Sequence, residues 1–205
     1  MLAAGLLWSA VPGATGTAEA SPGDDAGRVR IAHLSPDSPG VDVSMTPAPP
    51  GGPAADAGTD VARGLGYGDV GGYRDLAPGS YAVSVRPAGS PSSTPPALSA
   101  RLEVPAGGVR TLALTGAFAD LALTPLTDDP ALPGDGTARV RVLAAAAGAP
   151  TVDVSVDGGP ALADGLRFPG ASTPTEVAAG PAQVRLTTPS GSVAVPVHLV
   201  AGSVV

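Results

Sequence analysis

Cysteine is absent from this 205-residue chain, and so are lysine and asparagine. Aromatic residues make up only 3%, and glutamate is confined to Glu19, Glu103 and Glu176. Without cysteine there is no disulfide, no thiolate nucleophile and no cysteine-ligated metal. Without lysine, all eleven basic residues are arginine, against eighteen acidic ones, so the net charge is −7 (11 − 18). An acidic chain with no basic run is a poor nucleic-acid binder, because phosphate contacts dominate that affinity. The scarcity of aromatics leaves the core to alanine, valine and leucine. A single isoleucine (Ile31), with no lysine or asparagine, reads as the codon bias of a GC-rich, actinobacterium-like genome. That bias is silent on function.

Long hydrophobic runs are missing too. Leu2 to Val11 is apolar over about ten residues, half of what a membrane-spanning helix needs. Small residues and Ala18-Glu19-Ala20 follow it, in the manner of a signal peptide's apolar region and cleavage site. No basic residue precedes Arg28, so the usual charged start of such a peptide is lacking. Residues 1–20 are expected to direct export to the extracellular space or cell envelope, and residues 21–27 to form a disordered segment. No transmembrane span is expected.

Glycine (29) and proline (24), by contrast, make up about a quarter of the chain, near the level at which disorder is suspected. Alternation argues otherwise. Val29, Ile31 and His33 share one parity with Arg28 and Arg30 on the other. Val41, Val43 and Met45 alternate with Asp42, Ser44 and Thr46, and Tyr81, Val83 and Val85 with Ala82, Ser84 and Arg86. Period two is the mark of half-buried strands, and no segment carries an apolar period of 3.6.

The chain also repeats itself. Residues 28–45, RVRIAHLSPDSPGVDVSM, match residues 139–156, RVRVLAAAAGAPTVDVSV, at eight of eighteen positions without a gap. The match resumes at 65–85 against 166–186, aligning Tyr67 with Phe168 and Gly79 with Gly180, and again at 102–109 against 197–204. Short strands with Gly/Pro turns, in two copies, predict an all-β chain of two tandem antiparallel β-sandwich domains, immunoglobulin- or transthyretin-like. The first spans 28–127, a linker 128–138, and the second 139–205. The second reads as incomplete, since nothing in it corresponds to residues 111–126, and its exposed edge invites pairing with another strand or copy. Residues 47–63 and 87–100 read as mobile insertions of the first copy. Asp157-Gly158 reads as a two-residue hairpin turn, because both positions tolerate positive φ.

Arg28 to Ser44, Tyr67 and Tyr73, APGSYAVSVRPAG (77–89) and VPAGGVRTLALTG (104–116) resemble the strand signatures of the bacterial DUF4397 family. The resemblance covers 28–127 and, in a decayed form, 139–205. It implies exported or surface-associated β-rich domains, often in tandem. It implies no activity and supplies no catalytic residues.

Four residues stand out as candidates for ligand binding: His33, Asp37, Tyr67 and Tyr73. His33 serves either as a base, ligand or pH-sensitive group, or as a hydrogen-bonded histidine of the core. Its counterpart is Ala144, so any site there belongs to the first copy alone. Asp37 in Ser-Pro-Asp-Ser-Pro is expected to accept local backbone N–H groups of its turn. Tyr67 and Tyr73 offer a modest carbohydrate platform. Arg30 and Arg141, with Asp42 and Asp153, recur in both copies and read as exposed Arg–Asp pairs on adjacent strands. Asp128, Asp129 and Asp135 gather acid in the linker, where calcium is one reading and a solvated run the other.

Catalysis finds little support. No Gly-x-Ser-x-Gly elbow occurs, and a Ser–His–Asp set would need Ser35, His33 and Asp37 on one tight turn. There is no phosphate-cradling or dinucleotide loop, and no cofactor or metal is expected. The expectation is a non-enzymatic exported or cell-surface binding or spacer module, its partner a surface glycan or protein. The alternatives are an assembly protein whose second domain pairs with a partner strand and, third, an enzyme centred on His33.

Overall fold

The computed structural model describes residues 25–51 and 58–205. Among them the chain is all-β, with a single 3-10 turn at Phe118–Asp120. The N-terminal half contains β1 (Gly27–His33), β2 (Val41–Pro47), β3 (Thr59–Leu65), β4 (Arg74–Leu76), β5 (Gly79–Pro87), β6 (Leu98–Val104), β7 (Val109–Thr115) and β8 (Ala122–Thr127). These form two layers, ordered β4-β1-β7-β8 and β3-β2-β5-β6. Val29 and Ile31 of β1 and Leu112 and Leu114 of β7 join Val43, Met45, Val83 and Val85 of the other layer in one buried cluster. The period-two pattern puts them there, because alternate side chains leave a strand on opposite faces. Burying each such side chain contributes about 1.5–3 kcal/mol. Tyr81 is the one aromatic in this core, and its hydroxyl donates to the Ala77 carbonyl at 2.8 Å.

One pairing departs from the antiparallel expectation. β7 runs parallel to β1, from Arg28 opposite Val109 to His33 opposite Leu114. β7 follows β6 of the other layer, so no hairpin ties its direction to β1.

The C-terminal half contains β9 (Thr137–Val140), β10 (Leu143–Ala144), β11 (Val152–Val156), β12 (Ala161–Leu166), β13 (Gly170–Ala171), β14 (Thr175–Ala178), β15 (Gly180–Thr188) and β16 (Gly191–Leu199). Its pairings echo the first half. The order β12-β11-β15-β16 mirrors β3-β2-β5-β6. Gly27 opposite Leu76 recurs as Ala138 opposite Val177, and the Ala32–Val70 bridge recurs as Leu143 opposite Ala171. Arg139 bridges Val204 in parallel, as Arg28 pairs with Val109. The buried cluster is thinner, formed by Ala138, Val154, Val156, Leu162, Val177 and Leu199. On the inner face of β16, Val193 is 57% and Val195 43% exposed. Pro196 interrupts the donor groups of the same strand.

Several local expectations change. Residues 59–63, read as part of an insertion, belong to β3, and residues 98–100 belong to β6, because each finds a neighbouring strand to pair with. The remaining loop before β6 is pinned rather than loose. Ala88 N–H donates to the Gly40 carbonyl, Ala97 N–H to Val85, and Arg86 Nε to the Thr94 carbonyl. The Asp157-Gly158 turn is not a two-residue loop of positive φ. Gly158 has φ 72°, but no non-glycine residue among the described residues has positive φ, and the loop closes between Val156 and Pro160.

Asp42 and Asp153 owe their recurrence to a β-bulge. Both β2–β3 and β11–β12 slip register beside these residues. The extra residue leaves an unpaired backbone N–H. Asp42 takes it from Gly64 at 2.7 Å, and Asp153 from Gly165 at 2.6 Å. Both glycines sit in the left-handed region, at φ 62° and 56°. Asp42 also accepts from Gly89 N–H at 2.8 Å. Asp42→Ala is therefore expected to lower stability by about 1–2 kcal/mol, and Asp153→Ala by about half that. Urea denaturation of the two variants checks the order.

Candidate functional site

The sequence candidates divide between the two ends of β1. At its C-terminal end His33 is fully buried. Its Nε2 lies 3.1 Å from the Pro39 carbonyl, and its Nδ1 accepts the Ser35 N–H at 3.4 Å. That pattern places the ring proton on Nε2 and uses both nitrogens for the turn itself. Asp37 was expected to cap its own turn. Instead its carboxylate accepts from Phe118 N–H at 2.9 Å, tying the turn to the 3-10 segment eighty-one residues away. Because the Asp37 carboxylate is held there and His33 Nδ1 is used, Ser35, His33 and Asp37 do not form a proton-relay chain. Tyr67 lies in the turn whose Gly68 N–H donates to the His33 carbonyl, and it is 63% exposed.

Tyr73 lies toward the other end, beside Arg28 and Arg30, and is 37% exposed. The Arg30 guanidinium lies 4.6 Å from its ring centre, and Arg28 lies 5.8 Å away. Its hydroxyl donates to Asp128 Oδ2 at 2.9 Å. Tyr67 thus sits beside the His33 turn, and Tyr73 beside Arg28, Arg30 and Asp128.

Asp128, immediately after β8, gathers both halves of the chain. Its carboxylate is nearly buried and accepts from Tyr73, from the Thr111 hydroxyl on β7, and from Arg141 Nη1 at 3.0 Å. Arg30 Nε donates to Thr111 Oγ1 at 2.8 Å and lies 3.9 Å from Asp128. Arg141 also donates to the Thr127 and Ser172 carbonyls. Alongside, Asp129 pairs with Arg139, whose Nη1 donates to the Ala131 carbonyl. The expected pairs of Arg30 with Asp42 and Arg141 with Asp153 are not formed. β1 and β2 lie in different layers, so an outward side chain of one cannot meet an outward side chain of the other. With Asp128 and Asp129 matched by arginines, the calcium reading of the linker loses two of its three ligands. Among the described residues no group of three acidic or histidine side chains is arranged for a metal.

Tyr73 and Tyr81 have pKa values raised above the ordinary tyrosine value. For Tyr73 partial burial is the first cause, followed by its bond to the Asp128 carboxylate; for Tyr81 the cause is burial. Each folded tyrosine holds its proton to higher pH than in the unfolded chain. The stability this contributes is fully present below about pH 10, the unfolded value, and is lost as pH rises through the folded values. Stability is expected to fall from pH 10 upward, with 295-nm absorbance of the folded protein titrating later than that of the urea-unfolded chain.

A pocket of about 100 Å³ opens at this junction, lined by Arg30, Tyr73 and Asp128 on one side and by Val70, Leu126, Leu143 and Pro174 on the other. A larger polar groove of about 510 Å³ crosses the outer face of the β3-β2-β5-β6 layer. Its charged groups are engaged within the protein: Asp42 by Gly64 and Gly89, Arg63 by Asp60, Arg86 by Thr94. The junction pocket, between two β units on a shared carboxylate, is the better candidate for binding.

With that arrangement in view, comparison with known families finds a match to DUF4397, a domain of unknown function, over residues 27–155. The chain belongs to the DUF4397 family. The DUF4397 match begins at β1 and runs through the Asp128 junction into β11. No curated protein matches this DUF4397 chain. Among solved structures it is similar to the Bacillus anthracis TIE protein, at 13% identity and a TM-score of 0.31. That match covers 88% of this chain and 33% of the other, so the chain spans about a third of that protein's length. Among the described residues no helix is long and apolar enough to cross a membrane.

Arg30, Thr111, Asp128 and Arg141 escaped sequence reasoning as a site. Two signals were present: the arginine repeated at positions 30 and 141, and the acidic pair at 128–129. What joined them was the packing of β7 beside β1.

Proposed function

We propose that this DUF4397 chain is a non-enzymatic module that binds or spaces a partner outside the cell or at its envelope. It is built of two tandem β-sandwich units, the second a more divergent copy of the first. The Asp128 junction carries this reading. One carboxylate held by Tyr73 and Thr111 of the first unit and Arg141 of the second locks the linker, as suits a spacer of fixed geometry. The recurring strand pairings support the tandem copies. Export is supported by the apolar run Leu2–Val11 and Ala18-Glu19-Ala20, which lie outside the described residues. A surface glycan or protein is the partner class this placement favours. The engagement of His33 within its own turn, and of Asp37 by Phe118 N–H, supports a role without catalysis.

Small-angle scattering tests the spacer reading. The wild-type chain is expected to give a narrow distance distribution, and Asp128→Ala a broader one with a larger maximum dimension. A wild type as broad as the variant would remove the reading. N-terminal sequencing of the native protein, expected to begin near Ser21, tests export.

A second reading, assembly through the C-terminal half, is favoured by the exposed Val193 and Val195 on the inner face of β16. Light scattering that gives a defined oligomer, lost on Val193→Ser/Val195→Ser, supports it; a monomer at every concentration removes it.

A further inference from the structure

Arg30 is immobilised yet incompletely paired. Its Nε donates to Thr111 Oγ1, and its planar group rests against the Tyr73 ring. Nη1 and Nη2 donate to no protein acceptor among the described residues. A guanidinium held in this way presents a rigid fork of donors whose ordering cost is already met by folding. The acid nearest to it, Asp128, is turned to Tyr73, Thr111 and Arg141, so its charge is matched from other sides. Apart from Asp129 and Arg141, the rest of the pocket is apolar, formed chiefly by Val70, Leu126, Leu143, Pro174, Val204 and Val205.

Those two halves define a ligand. A planar monoanion suits the fork, since carboxylate and guanidinium pair through two parallel hydrogen bonds. A phosphate dianion suits it less, with Asp128 and Asp129 close by. The apolar walls call for a short branched aliphatic stem. A volume of about 100 Å³ limits that stem to a few carbons, since a cavity of roughly 150 Å³ takes benzene. We propose that the junction pocket binds the carboxylate of a small branched aliphatic group, with Arg30 taking the carboxylate and Val70, Leu126, Leu143 and Pro174 the stem. The proposal rests on the reading of the chain as a binding module. Two sources carry this chemistry: the C-terminal residue of a peptide, and a free short-chain acid.

The test is calorimetric titration of the intact chain with 3-methylbutanoate, 3-methylbutanamide, and acetyl-Gly-Gly-Val as free acid and as C-terminal amide. The free acids are expected to bind with a dissociation constant of about 1 mM, and the amides at least about tenfold more weakly. Arg30→Gln is expected to reduce acid binding to the level of the amides. Val70→Trp fills the pocket from an exposed position and is expected to abolish binding; it serves if Arg30→Gln does not fold. Tighter binding of the peptide acid than of 3-methylbutanoate identifies a peptide C-terminus as the source, and equal binding identifies the free acid. Acids and amides binding alike, either folded variant binding like wild type, or no heat at millimolar acid would overturn the proposal. Each of those results leaves the spacer reading standing, because that reading is decided by scattering.

Discussion

Asp128→Ala is expected to lower the stability of the chain by about 2–4 kcal/mol. Asp128 is nearly buried and accepts from three groups. Removing it takes the anionic partner from Arg141 and the acceptor from the hydroxyls of Tyr73 and Thr111. Breaking one side of a buried pair costs about 3–5 kcal/mol, because the remaining charge is left uncompensated. The lower range applies here, since Arg141 keeps the carbonyls of Thr127 and Ser172. Asp128→Asn retains an acceptor but not the charge, and is expected to cost about half as much. Urea denaturation followed by circular dichroism measures both. A change under about 0.5 kcal/mol for the alanine variant, the range of an ordinary surface substitution, would show that the junction does not hold the two halves together.

Leu114→Ala is expected to cost about 3–5 kcal/mol and to unfold the N-terminal half first. Leu114 is fully buried on β7, paired with His33 on one side and Leu123 on the other. Seven of the fourteen other residues in the core around it are valines, on strands of a two-layer sheet. Such side chains have few rotamers with which to refill a cavity, so the penalty falls in the upper part of the leucine-to-alanine range. Val195→Ala offers the contrast, at less than about 0.5 kcal/mol, because Val195 is already largely exposed. Similar losses for the two would mean that the inner face of β16 is covered in solution, which would favour the assembly reading.

Much of the fold was legible in the sequence. Val29, Ile31 and His33 point inward while Arg28 and Arg30 point outward, because a strand's period of two needs no tertiary information. The same parity anticipated Val41, Val43 and Met45, and Tyr81, Val83 and Val85, all of which are buried. The resemblance of residues 28–127 to DUF4397 was likewise readable from local motifs, and the family match bears out that membership. What local pattern could not supply was pairing between distant strands. β1 meets β7 across some eighty residues, and in parallel, so Arg30 neighbours Thr111 rather than Asp42. An outward arginine and an outward aspartate look like partners in a sequence, but they belong here to opposite layers.

The candidate site shows the same division. Tyr73 was singled out from sequence as a ligand-binding aromatic, and only packing made it a donor to Asp128 and a support for Arg30. Asp37 was readable as a hydrogen-bond acceptor, but the fold chose Phe118 as its donor. By itself the sequence determined composition, strand parity, the internal repeat and the chemistry that is missing. These depend on residue identity and on a geometry that recurs every two residues. The tertiary structure alone decided which arginine meets which acid, which loop is pinned and where a pocket opens. Those depend on how two layers stack, and a side chain's partner across a layer lies a few ångströms away in space however far it lies along the chain.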